Sequence, residues 1–106
     1  MTDTTTYNLD KEAEMEPKSN YGYTAVMTAC GDVMDELLAA VDKFPPFNSA
    51  HEGFAVLKEE VDELWEQVRS KQRARDVDKM DRETVQVAAM ALRFLLDVTR
   101  ARRGRV

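Results

Sequence analysis

At 106 residues the chain has room for one domain, with little margin for a self-sufficient core. Aromatics, Gly and Pro are scarce while Glu, Asp, Ala, Val, Leu and Met dominate, a mixture that favours helices over strands. The formal charge of −5 argues against a general nucleic-acid interface, which would be basic, but is compatible with a phosphorylated small molecule held through metal ions. Residues 1–20 are rich in Thr, Asp and Glu, show no sustained apolar period, and read as a mobile tail. No basic stretch followed by an apolar run marks a secretory signal, and no apolar run is long enough for a membrane span. Cys30 stands alone, so no internal disulfide can form and a reducing, cytoplasmic setting is expected.

A first helix is expected from Tyr23 to Lys43, where Val26, Met27, Cys30, Val33, Met34, Leu37, Leu38 and Val41 recur at three- and four-residue steps. In that setting Cys30 reads as a buried small hydrophobe. Gly31 costs about 1 kcal/mol relative to Ala inside a helix, and close packing against another helix would explain it. Pro45 and Pro46 end the helix. Ser49-Ala50-His51-Glu52 has the form of a capping box, Ser49 accepting from the Glu52 N–H while the Glu52 side chain reaches back to Ser49. A second helix should run from Ala50 to Lys71, a connection from Gln72 to Lys79, and a third helix from Asp81 to Arg100.

The third helix carries two apolar stripes, one through Val85, Ala88, Ala89, Leu92, Leu95 and Leu96, the other through Val87, Met90, Ala91, Phe94 and Val98. A helix apolar on two sides is buried on two sides. The expected architecture is an all-α antiparallel helical bundle over residues 21–100, completed by homo-oligomerisation into a dimer or tetramer, with a basic tail at 101–106.

Chemistry concentrates on the second and third helices. Glu60 and Glu63 are three residues apart and Glu59 and Glu63 four, so each pair converges on one point. A solvated acidic face is the plain alternative. Against it, Glu59 is followed at four residues by Glu63 and Asp62 by Glu66, like-charge pairs that each cost about 0.2–0.5 kcal/mol where a cation is absent. Glu83 and Gln86 share the three-residue spacing, in a polar sector with Met90, Arg93 and Asp97 between the apolar stripes. Oxygen-bearing pairs on neighbouring helices suit a hard cation such as Mg²⁺.

Glu59-Glu60-Val61-Asp62-Glu63, followed by Glu83-Thr84-Val85-Gln86, resembles the MazG-like all-α nucleoside triphosphate pyrophosphohydrolases, whose signature is EExxE, a spacer, then ExxD. The resemblance spans His51 to Val98 and includes HEGFAVLKEEVDELWEQV and VQVAAMALRFLLD, which look like small phage-type members. It implies Mg²⁺ (or Mn²⁺) held by Glu59, Glu60, Glu63 and Glu83, and hydrolysis of an NTP, conceivably a purine dNTP, to the monophosphate and pyrophosphate. Gln86 departs from the family's Asp: its carbonyl can ligate a cation but adds no charge and cannot act as a base. Glu59, the acid projecting furthest from the apolar stripe, is the choice for the base that activates water.

Several residues have two readings. Lys79 and Arg93 could contact the triphosphate; equally, Lys79 serves surface solubility and Arg93 a buried ion pair with Asp97. His51 could contact base or sugar by analogy with the family, or be an ordinary exposed cap residue. Trp65, on the apolar stripe of the second helix, reads as core or interface. Arg100, Arg102, Arg103 and Arg105 complement a helix C-terminus. The rival to an enzyme is a non-catalytic dimerisation or partner-binding module on the same scaffold.

Overall fold

A computed structural model describes residues 21–101, so the tail expected at 1–20 and most of the basic C-terminus lie outside the described residues. The described chain is helical: α1 (Tyr23–Lys43), α2 (Ala50–Val68), a 3₁₀ turn (Gln72–Ala74) and α3 (Val77–Phe94), which continues as a π-helical segment, Leu95–Arg100. Among these residues no helix is long and apolar enough to cross a membrane.

Helix α3 is the centre. It packs against α2 more extensively than against α1, and both of its neighbours come from the same chain. The core is small: Leu37 and Ala40 from α1 meet Ala89 and Met90 from α3, with Val33, Phe47, Val56 and Leu57 packed around them. Gly53 allows α2 to approach closely, because a Cβ there would stand 2.8 Å from Phe94 Cδ2 and 2.9 Å from Phe47 Cδ2.

The connection between α1 and α2 is pinned from α3. Arg93, only 3% exposed, donates from Nη1 to the Ala40 carbonyl at 2.9 Å and from Nη2 to the Phe44 carbonyl at 2.7 Å. Its Nε donates to Asp97 Oδ2 at 3.0 Å, and the same oxygen accepts from the Phe47 N–H at 3.0 Å. Arg93 therefore adds a second donor to the Ala40 carbonyl, which already accepts from the Phe44 N–H at 2.9 Å, and supplies a donor to the Phe44 carbonyl just past the end of α1. Its guanidinium also lies 5.6 Å from the centre of the Phe47 ring.

Four local expectations change. Ser49 does cap α2, accepting from the Glu52 N–H at 3.0 Å, but the Glu52 carboxylate accepts from the backbone N–H and side-chain amide of Asn48 rather than from Ser49. The reciprocal half of the box has moved back one residue, because Asn48 offers two donors at once. Helix α2 stops at Val68, not Lys71, where the Arg75 side chain donates twice to the Val68 carbonyl. Helix α3 starts four residues early, at Val77, because Asp76 caps it by accepting from the Lys79 N–H. Cys30 is exposed rather than buried: with Ala29 and Val33 it lines an open apolar groove of about 580 Å³ against Ala88, Leu92 and Leu95. Gly31 likewise has no close neighbour within its own chain.

Candidate metal centre

Two helices build the acidic cluster. Glu60 and Glu63 stand one turn apart on α2, and the packing of α2 on α3 brings Glu83 beside them. One carboxylate oxygen from each of Glu60, Glu63 and Glu83 lies within 4.8 Å of the others. Glu60 and Glu83 are half-buried and Glu63 is exposed. Glu60 Oε2 and Glu83 Oε2 are fully shielded from solvent and have no hydrogen-bond partner. Buried carboxylate oxygens without donors are costly, so the pair is an incomplete polar site rather than a satisfied one.

The electrostatics agree. Burial, then the charges of Glu63, Glu83, Glu59 and Glu36, in that order, hold the Glu60 carboxyl above its ordinary value of 4.5. Each effect disfavours the charged form, and an adjacent cation would act in the opposite direction, favouring the carboxylate. The donor set is entirely carboxylate oxygen, which suits a hard divalent cation; oxygen donors alone do not distinguish Mg²⁺ from Mn²⁺.

Beside the cluster opens a cavity of about 480 Å³. Glu59, Glu60 and Gln86 line one part of it, Phe44, Pro45 and Phe47 supply apolar walls, and Glu36 joins from α1. Of the residues expected at the site, Glu60, Glu63 and Glu83 converge, Glu59 lies outside that three-carboxylate cluster, and Glu59 and Gln86 line the adjoining cavity with Glu60. Arg93 also lines this cavity, but its Nε, Nη1 and Nη2 donate to Asp97, Ala40 and Phe44. His51 is exposed in the first turn of α2, and Lys79 is exposed in the first turn of α3; neither lines the cavity. Glu36 was not singled out in the sequence. Nothing local marks it, since its relevance arises only when α1 is laid against the carboxylates of α2.

No family model, curated protein or solved structure matches the chain.

Proposed function

We propose that this chain is a Mg²⁺-dependent nucleoside triphosphate pyrophosphohydrolase, splitting an NTP between its α- and β-phosphates to give the monophosphate and pyrophosphate. The observation that carries this reading is the pair of buried, partnerless oxygens, Glu60 Oε2 and Glu83 Oε2, in a three-carboxylate cluster that adjoins a cavity. Glu60 and Glu83 would be the deeper ligands and Glu63 the solvent-side one. Mn²⁺ fits the same oxygens. When bound, the ion supplies charge neutralisation at the phosphate oxygens and acidifies a water molecule.

The chain's own residues then have distinct tasks. Glu59, outside the cluster but on the same cavity, accepts a proton from the attacking water. That water's oxygen forms a bond to the α-phosphorus as the bond to the bridging oxygen breaks, and pyrophosphate leaves. Phe44 and Phe47 offer apolar walls against which a base can pack, and the phage-type resemblance suggests a purine deoxynucleotide as the first substrate to try. The protein would act as a dimer or tetramer, since Met34, Leu38, Phe54 and Trp65 are all left exposed.

Pyrophosphate release across a panel of canonical and modified NTPs, with and without Mg²⁺, tests the proposal. Release that requires Mg²⁺ and disappears in Glu63→Gln and Glu83→Gln supports it. Gln86, neutral where an acid would strengthen the site, favours a second reading: a non-catalytic module on the same scaffold. Absence of release from every nucleotide at millimolar Mg²⁺ would select that reading.

A further inference from the structure

Along α1, Thr24, Met27, Gly31, Met34, Leu38 and Val41 recur at alternating steps of three and four, the spacing of a two-helix seam. The chain's own core uses a different face of this helix, through Val33, Leu37 and Ala40. The seam is open, with Met34 54% and Leu38 58% exposed. Gly31 lies inside it. A mid-helix glycine costs about 1 kcal/mol relative to Ala, yet a Cβ at Gly31 would meet nothing within 4 Å. Nothing within the described fold requires the missing side chain there.

We propose that a second copy of this chain covers the seam, α1 pairing antiparallel with the partner's α1 so that the partner's Met34 fills the space over Gly31. This rests on the assembly expected above and is independent of the metal. Residues 1–20 are a poor alternative cover, because Met1, Tyr7, Leu9 and Met15 are their only large apolar side chains and do not follow the seam's spacing. The seam is also self-complementary. The register that sets Gly31 against the partner's Met34 sets Met27 against the partner's Leu38 and Thr24 against the partner's Val41. It overlaps nearly all of the 21-residue helix and places each small residue opposite a larger one.

A parallel pair would oppose Gly31 to its own copy, leaving a gap, and would bring Asp35 and Asp42 level with theirs. The antiparallel register offsets Asp35 from its copy by five residues, about 7.5 Å along the axis. It also opposes the two helix dipoles.

Sedimentation of the full chain, with helicity followed by circular dichroism, tests this. The wild type should be dimeric or larger at micromolar concentration. Gly31→Met should weaken association by about tenfold or more without loss of helicity, since the added side chain clashes only with the partner. The exchange Gly31→Met with Met34→Gly should recover association, because each layer then again pairs one glycine with one methionine. Leu38→Asp should give a folded, smaller species and serves as the decisive variant if Gly31→Met loses helicity. A monomeric wild type would overturn both the assembly and the seam. An oligomer indifferent to Gly31→Met and Leu38→Asp would leave assembly standing and overturn the α1 seam. Weakening by Gly31→Met without recovery in the exchange would overturn the register.

Discussion

Replacing Arg93 by Met removes the group that joins α3 to the end of α1, while the aliphatic stem keeps most of its volume. Two carbonyls, Ala40 and Phe44, lose a charged donor, and Asp97 loses its ion-pair partner while still accepting from the Phe47 N–H. Hydrogen bonds to charged groups contribute about 1.5–3 kcal/mol each, but the three are not additive because they share one guanidinium. Breaking a buried pair by removing one partner costs about 3–5 kcal/mol, the figure that applies to a residue 3% exposed. Against a total of roughly 5–15 kcal/mol, with a small domain near the low end, this is a large fraction. In urea, at about 1–2 kcal/mol per molar for a chain of this size, the midpoint should fall by roughly 1.5–5 M. Arg93→Lys should recover little, since an ammonium cannot reach three acceptors in the planar fork geometry. A loss below about 1 kcal/mol would refute the pinning role. If such a stable variant also had a raised KM, Arg93 would instead be a triphosphate contact.

In the metal-free protein, the folded state holds the Glu60 proton more tightly than the unfolded state does. The stability that Glu60 contributes is therefore fully present below pH 4.5 and is lost as pH rises through the elevated folded value, a decline that Glu60→Gln should flatten in a pH series of thermal melts. In Glu36→Gln the Glu60 carboxyl, followed by NMR titration, should move down toward its ordinary value; an unchanged titration would remove Glu36 from the site's electrostatics. Millimolar Mg²⁺ should raise the melting temperature of the wild type and not of Glu63→Gln, whereas equal shifts in the two would dissociate Glu63 from any bound ion. Gly53→Ala should cost about 1–2 kcal/mol in urea despite its better helix propensity, because the new methyl is caught between the Phe47 and Phe94 rings; a stabilised variant would contradict that packing. Gln86→Asp should lower the Mg²⁺ concentration needed for half-maximal pyrophosphate release, and a variant needing no less would place Gln86 outside the ion's reach.

The limits of sequence reasoning here follow from the range over which each interaction acts. The bounds of α1 are legible because Pro45 and Pro46 act on the adjacent backbone, and the Ser49 cap because it acts over three residues. The acidic cluster is half local: Glu60 and Glu63 share a helix face by spacing alone. Glu83 joins them only because α2 and α3 run side by side, which two amphipathic helices joined by a short connection make predictable. The Asp97 partner of Arg93 is four residues away and legible, but its two carbonyl partners are about 50 residues away, so the polar sector signalled a need for partners without naming Ala40 or Phe44. Cys30 shows the opposite failure. Its three-and-four periodicity is real, but α1 carries more apolar circumference than its own chain covers, and periodicity does not say which part is used within one copy.

That surplus links the fold to the site. Helix α3 is packed by α1 and α2 of the same chain but keeps Leu92 and Leu96 exposed, and more apolar surface is left over on the outer helices, at Met27, Met34 and Leu38 on one side and Phe54, Val61 and Trp65 on the other. The carboxylates sit between, where α2 meets α3, with Glu36 contributing from α1. Moving α1 changes the field at Glu60, because the charge of Glu36 travels with it. An assembly that fixes α1 would also fix that charge relative to the cluster. Dissociation and metal affinity should then be coupled, and each should shift the other by the same free energy.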